Sequence, residues 1–144
     1  MTTTWIIAAD SSRARILQVT DREKALAEID DLLNPEGRVD DRQLTTDAHA
    51  RFHGGGGGSA PGSDREETSA AEHATELFAK RVGDYLDKAR TAHKYDRLHL
   101  VAPPRFLGQL RKELGKEVQK LVTDELPKDL SWLNARDIQR HLKS

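Results

Sequence analysis

The sequence predicts a single α/β domain, residues 1–144, with a mixed β-sheet, flanking helices and the order β-β-β-loop-α-β-α-β-α. Three observations support this fold class. The amino-terminal part is rich in β-forming residues separated by turn residues, and a long amphipathic helical pattern follows a glycine-rich loop. Short apolar strands and helical patterns then alternate. Successive strands pair antiparallel, whereas strands joined through helices pair parallel, so a mixed sheet is expected.

The first three elements are predicted to be antiparallel strands. Residues 4–9 form a nearly continuous apolar run, which is typical of a strand covered on both faces. Asp10-Ser11-Ser12 has turn chemistry, and the β-rich segment 13–19 completes a hairpin. Residues 25–33 fit either a strand or a helix. We interpret them as a third strand because they follow a hairpin and end at Asn34-Pro35.

A long helix is predicted from about Asp64 to Ala92. Ser63-Asp-Arg-Glu66 fits a capping box, with acidic residues in the first turn. Gly83 lies inside this helix and costs it about 1 kcal/mol relative to alanine. One apolar face recurs every three or four residues, namely Ala71, Ala74, Phe78, Val82, Tyr85, Leu86 and Ala89.

The remaining chain predicts two strands and two helices. Residues 97–102 form a short strand that ends at two prolines, and a helix follows from about Pro104 to Leu114. A last short strand is expected around residues 121–123. Asn134 then caps a carboxyl-terminal helix.

Composition excludes several function classes. The chain carries 23 Lys and Arg against 24 Asp and Glu, a formal net charge of −1, which argues against strong nonspecific binding to nucleic acid. Without cysteine it has no disulfide, thiolate metal site or thiol nucleophile. The first ten residues do not resemble a signal peptide, and no apolar run approaches the roughly 20 residues of a membrane helix. We therefore expect a cytoplasmic protein without membrane contact.

The loop at about 45–63 contains five consecutive glycines, Gly54–Gly58, followed by Gly62. Fixing one residue costs about 1–2 kcal/mol, so ordering five costs on the order of 5–10 kcal/mol. The sequence therefore predicts a mobile tip. Two interpretations remain open: an insertion without a target, and a loop that presents bare backbone N–H groups to a partner such as RNA.

Three segments carry a resemblance to a known family. Residues 5–16, residues 100–111 and the late segment 130–142 are similar to the bacterial host-attachment protein family, over essentially the whole chain. The block Ala-Pro-Pro-Arg-Phe-Leu-Gly-Gln-Leu-Arg is the most specific part. This resemblance implies kinship with the middle domain of archaeal and eukaryotic peptide-chain release factors and of Pelota. It also implies their ribonuclease-H-like fold, in which a Gly-Gly-Gln loop precedes a long helix and enters the ribosome.

By that resemblance, the glycine run stands where the Gly-Gly-Gln loop would be. Ser59 replaces the glutamine with which hydrolysis is associated, so peptide release is not carried over. The implied function is a non-enzymatic module without a cofactor that binds the ribosome or RNA. The alternative, from the family's name, is an interaction protein for attachment to host cells, with another protein as partner. The residues predicted to bind are Arg51, His53, Gly54, Gly55, Gly56, Gly57, Gly58, Ser59 and Arg65.

Catalytic and metal chemistry is less well supported. Asp47, His49, His53 and His73 could suggest zinc, but a structural zinc site needs four rigidly held ligands, so a solvated loop is favoured. A metal-dependent nuclease needs convergent carboxylates; Asp10 and Asp96 are candidates without an evident third, and Asp10 fits a turn better.

A serine hydrolase needs a serine with a histidine base and an orienting acid, and no Gly-x-Ser-x-Gly pattern is present. His99 is predicted to face away from its neighbouring leucines and to pack against a helix or contact water. The basic residues Arg105, Arg111, Lys112 and Lys116 alternate with Glu113 and Glu117, which is typical of a solvated face rather than an RNA groove.

Overall fold

The computed structural model describes residues 2–35 and 61–143. The strands are β1 (Thr3–Ala9), β2 (Arg13–Thr20), β3 (Ala27–Leu33), β4 (Arg97–Val101) and β5 (Val122–Leu126). The helices are α1 (Pro61–Thr91), α2 (Pro104–Glu113), α3 (Lys116–Leu121) and α4 (Ala135–Lys143). The five strands form one sheet in the order β3-β2-β1-β4-β5.

Strand β1 is the centre of the sheet. It pairs antiparallel with β2 and parallel with β4, so that Ile7 lies between Ile16 and Leu100. Strand β3 pairs antiparallel with β2, and β5 pairs parallel with β4. Trp5 through Ala9 are at most 2% exposed, because both faces of this strand are covered. The predicted mixed α/β sheet with flanking helices is confirmed, and the third segment is a strand.

The two faces of the sheet bury separate apolar clusters. On one face, Trp5 and Ile7 pack with apolar side chains of α1, α2 and α3, including Phe78 and Leu110. On the other face, Ile6 and Ala8 pack with Leu130 and with Ile138 of α4. Alternate residues of one strand point to opposite faces, which explains why β1 contributes to both clusters. The loop after β5 therefore closes one side of the core.

The helix ends differ in part from the sequence prediction. Helix α1 begins at Pro61, so Ser63 lies inside the helix and not before its first turn as the capping-box prediction required. At α4 the prediction is confirmed, since the Asn134 side-chain oxygen accepts a hydrogen bond of 2.8 Å from the Asp137 backbone N–H.

Helix α3 was not predicted. It covers only six residues, too few for a helical period to show in the sequence. Val118 is its one buried residue, and the Gln119 side chain donates a 2.8 Å hydrogen bond to the Leu114 carbonyl oxygen. Strand β5 consequently begins at Val122 and extends to Leu126, beyond the predicted strand around 121–123.

Candidate interaction site

Most residues predicted to bind RNA or a partner lie outside the described residues. These are Arg51, His53, Gly54, Gly55, Gly56, Gly57, Gly58 and Ser59, and the loop prediction for about 45–63 falls largely on the same segment. Arg65 lies in the first turns of α1. Of the side chains considered for zinc, Asp47 and His49 also lie outside, whereas His73 is exposed on α1. Within residues 2–35 and 61–143, no cluster of three or more His, Cys, Asp or Glu could hold a metal ion.

Asp10 forms the turn between β1 and β2, as the turn interpretation predicted. Its Oδ1 accepts hydrogen bonds from the Ser12 backbone N–H at 2.8 Å, the Ser12 hydroxyl at 2.8 Å and the Arg13 N–H at 2.9 Å. Asp96 instead accepts a 2.8 Å bond from the Thr3 N–H, at the opposite end of β1. At about 3.3 Å per residue, the two carboxylates are roughly 20 Å apart. They cannot clamp a pair of metal ions, so the nuclease pairing of Asp10 with Asp96 is wrong.

Ser131 connects Asp10 to the loop that follows β5. The Ser131 hydroxyl lies 2.9 Å from Asp10 Oδ2 and 2.7 Å from Asp129 Oδ1, so its one proton is shared between two carboxylates. The residue is 1% exposed, and its hydroxyl is hydrogen-bonded to these two carboxylates. Because it is buried and hydrogen-bonded to two carboxylates, the Ser131 hydroxyl is a structural link between the turn after β1 and the loop after β5.

The Arg15 side chain also holds the loop that follows β5. This β2 residue is only 6% exposed, and its Nη1 donates to the carbonyl oxygens of Ser131, at 3.0 Å, and of Leu133. Its Nε donates to Glu28 of β3 at 2.5 Å. A buried guanidinium is costly unless it is paired and hydrogen-bonded, and here a carboxylate and two carbonyl groups satisfy it. Arg15 thereby joins two strands to the loop.

Trp132 lies between the two carbonyl groups that Arg15 binds. Its side chain is 73% exposed, the largest value among the exposed large apolar residues of the described chain. Its indole N–H donates a 3.1 Å hydrogen bond to the Asp129 carbonyl oxygen. The polar atom of the ring is therefore used internally, and the ring carbons face solvent. We call residues 129–133 the Trp132 loop.

A rigidly held, exposed tryptophan is typical of a protein-binding surface. Tryptophan is enriched among the residues that dominate binding energy, because it offers a large apolar surface with few rotatable bonds. The Arg15 side chain donates hydrogen bonds to backbone carbonyl groups of this loop and so orders the loop before a partner binds. This ordering removes part of the entropic cost of association. The arrangement is therefore suited to binding.

A comparison with known families identifies the family of this chain. The family model described as "Protein required for attachment to host cells" matches residues 5–142. The chain belongs to this family. The family resemblance stated from the sequence is thus confirmed, while the further kinship with release factors and Pelota stays a prediction.

A curated relative of this host-attachment family member is an uncharacterized protein, RP470, from Rickettsia prowazekii (strain Madrid E). The two are 38% identical over 85 residues, a stretch that covers 57% of each chain. The match therefore spans little more than half of the relative's length. Among the described residues of the family member, no helix combines the length and apolar character needed to cross a membrane.

His99 of this family member is half-buried on the face that carries Ile6 and Val101. Burial lowers the pKa of His99, and Asp124, its register partner in β5, opposes that shift. Its Nδ1 is buried and has no hydrogen-bond partner among the described atoms. The prediction of a packed histidine, and not a metal ligand, fits these surroundings.

Two of the four basic residues considered after β4 form ion pairs with carboxylates. Arg105 lies 2.9 Å from Glu72 of α1, and Arg111 forms a bidentate pair with Glu125 at 2.8 and 2.9 Å. Arginines paired in this way are less available to phosphate groups. The solvated-face interpretation is therefore favoured over the RNA groove.

Sequence reasoning did not select Arg15, Ser131 or Trp132. One available signal was Arg15 itself, since an arginine between apolar residues of a strand indicates a buried and paired charge. Its partners in the Trp132 loop lie 116 and 118 residues away, so local patterns could not identify them.

Proposed function

We propose that this protein contributes to attachment to host cells by binding a partner protein through the Trp132 loop. Two lines of support converge on this proposal. The family is described by its requirement for attachment to host cells. The observation that carries the binding role is the pair of hydrogen bonds from buried Arg15 to the carbonyl groups on either side of exposed Trp132.

The energetics favour Trp132 as the main contact. A tryptophan buries roughly 150–250 Å² when it enters a pocket, and apolar burial contributes about 25 cal/mol per Å². Truncating such an anchor typically costs at least about 2 kcal/mol, which corresponds to roughly a 30-fold loss of affinity. The partner that fits is a protein with an apolar pocket, because the indole N–H already has an acceptor in Asp129.

The test compares adherence to cultured host cells between bacteria that carry the native gene, a deletion, and a Trp132→Ala allele. We expect Trp132→Ala to reduce adherence to near the level of the deletion, at unchanged protein abundance. The matched control is Ile29→Ala, which shortens another exposed apolar residue, 44% exposed, on β3. Native adherence with Trp132→Ala would contradict the proposal, as would an equal loss with Ile29→Ala.

A second candidate function is binding to the ribosome or RNA through the glycine-rich loop. It rests on the five glycines that precede α1 and on the implied likeness to a release-factor middle domain. The measurement is co-sedimentation with ribosomes of the native protein and of a variant lacking Gly54–Gly58. This second candidate requires binding that the deletion abolishes. Equal binding of the two proteins, or binding of neither, excludes it.

A further inference from the structure

A second face of α1 carries both apolar and charged side chains and points largely away from the core. Its residues line an open groove of about 390 Å³. We call this face the α1 stripe, and it consists of Leu77, Lys80, Arg81, Asp84, Tyr85 and Lys88. The core face of the same helix is formed by Phe78, Val82 and Leu86, which are at most 3% exposed. The α1 stripe is thus separate from the Trp132 loop, and of its residues only Tyr85 is partly buried against the core.

Several side chains of the stripe are exposed or form no polar contact with the described residues of the monomer. Leu77 is 52% exposed. The side chains of Lys80, Asp84 and Lys88 form no hydrogen bond or ion pair with any residue in 2–35 or 61–143. Leu77 thus offers exposed apolar surface, and the charges of both signs beside it are available to pair with a partner.

Two side chains of the stripe are already held in place. Arg81 Nη1 donates a 2.7 Å hydrogen bond to the Leu33 carbonyl oxygen, and its guanidinium lies 5.9 Å from the Phe78 ring centroid. The Tyr85 hydroxyl donates a 2.6 Å bond to Asp30 of β3. Both side chains are therefore ordered before association, which reduces the entropy lost when a partner binds.

The order of the stripe residues along the helix is self-complementary. With 3.6 residues per turn, Leu77 and Lys88 lie along the middle of the stripe. Lys80 and Asp84 lie along one flank, and Arg81 and Tyr85 along the other. When two copies of α1 pack antiparallel about a two-fold axis, each flank meets the same flank of the other copy. A two-fold interface requires a surface that is complementary to itself in this way.

We propose that the α1 stripe is the interface of a homodimer, in which two copies of α1 pack antiparallel. Lys80 then pairs with Asp84 of the second copy, and the symmetry repeats this ion pair. The Arg81 guanidinium stacks on the Tyr85 ring of the second copy, again twice. Leu77 contacts the aliphatic stem of Lys88 of the second copy.

The charges favour a second copy over a nucleic acid. Asp84 is the one carboxylate of the stripe among three cations, and Asp30 adds a second carboxylate through its bond to Tyr85. A phosphate backbone would place negative charge against both carboxylates, whereas a second copy brings a Lys80 side chain that can pair with Asp84. The chain as a whole carries a formal net charge of −1 and so adds no general attraction for phosphate.

The expected dimer is weak. The stripe spans eleven residue steps and is therefore about 17 Å long and one helix wide. That is small beside the roughly 1,600 Å² of a standard interface, so self-association in the micromolar range is expected. Charge pairs near the surface also weaken as salt concentration rises.

The experiment is sedimentation velocity across the micromolar range at low and at high salt. The native protein should be a concentration-dependent dimer, and Asp84→Lys and Lys80→Asp should each be monomeric because they place like charges opposite each other. The double variant Lys80→Asp with Asp84→Lys should restore the dimer. Thermal unfolding monitored by circular dichroism checks that every variant is folded. The matched control is Lys112→Asp, on exposed α2 surface outside the stripe, which should dimerise like the native protein.

A native protein that is monomeric at every concentration would overturn the proposal. So would a dimer that persists unchanged in Asp84→Lys. Trp132→Ala should dimerise like the native protein, which separates this proposal from the attachment proposal.

Discussion

Gly83 of α1 lies against the carboxyl end of α2. A Cβ atom at this position would be 2.8 Å from the Glu113 carbonyl oxygen. Real Cβ atoms do not approach backbone oxygen so closely, and a carbonyl group near the end of a packed helix cannot simply rotate away. The glycine that weakens α1 as an isolated helix is therefore what allows the two helices to approach each other.

We expect Gly83→Ala to destabilise the protein by about 1–3 kcal/mol, because overpacking outweighs the better helix propensity of alanine. The matched control is Gly108→Ala in α2, where a Cβ atom has no neighbour within 4 Å. That variant should be more stable than the native protein by about 1 kcal/mol. Urea unfolding monitored by circular dichroism measures both changes, and a stabilising Gly83→Ala would show that α1 and α2 are not in close contact.

Arg15→Ala should destabilise the protein by about 2–4 kcal/mol, because two carbonyl groups of the Trp132 loop lose their donor and a cavity forms under the loop. Arg13→Ala is the control. Its ion pair with Asp31, at 2.6 Å, joins side chains that are 29% and 34% exposed, and such pairs contribute roughly 0–1 kcal/mol.

The fluorescence of Trp132 measures how far Arg15 orders the Trp132 loop. Of the two tryptophans, Trp5 is 2% exposed and Trp132 is 73% exposed, so a Trp5→Phe background isolates the signal of Trp132. Arg15→Ala in that background should lower the fluorescence anisotropy of Trp132. Unchanged anisotropy would mean that Arg15 does not order the loop.

His99 should make folding stability depend on pH near neutrality. Burial lowers the pKa of His99 below the ordinary value of 6.5, so the unfolded chain binds its proton more readily than the folded protein does. The stability that the protein gains by keeping His99 neutral is present above pH 6.5. It is lost as the pH falls toward the pKa of His99 in the folded protein. A His99→Asn variant should lose less stability than the native protein over that interval, as measured by urea unfolding. Parallel pH profiles for the two proteins would show that His99 does not contribute.

Both tyrosines of the chain should ionise well above their usual range. Burial, reinforced by the hydrogen bond to Asp30, raises the pKa of Tyr85 to about 12. Burial also raises the pKa of Tyr95 to about 12, with a smaller contribution from Asp87 that Arg90 opposes. Because both values are raised in the folded protein, their stabilisation is present below pH 10 and is lost between pH 10 and about 12. Alkaline absorbance titration should show no tyrosine with a midpoint near 10.

The parts of the fold that the sequence predicts are those with local signals. The apolar run of β1, the turn at Asp10 and the cap at Asn134 each depend on residues close together in the chain, and the structure confirms all three. Helix α3 escaped prediction because six residues are too short for a periodic pattern. Helix α1 begins at Pro61, three residues before the predicted start at about Asp64, because element boundaries are the least reliable part of a sequence prediction.

The candidate site depends on contacts between distant parts of the chain. The sequence shows Trp132 only as one aromatic residue among leucines, and nothing local indicates that Arg15 supports it from another strand. The structural role of Gly83 could not be predicted either, because its neighbour Glu113 is thirty positions away in the sequence. Helix propensity predicted that Gly83 destabilises α1. The close packing of α1 against α2 explains why a glycine is present at this position.

The central position of β1 has a consequence for synthesis of the protein. Among the described strands, β1 is synthesised before the others, and its antiparallel neighbours β2 and β3 follow it directly. Its other edge remains open until β4, which begins at Arg97, has emerged. During that interval the nascent chain exposes an apolar strand edge, a surface that attracts other unfolded chains and chaperones. A truncated product ending before Arg97 should therefore aggregate, although it contains three of the five strands.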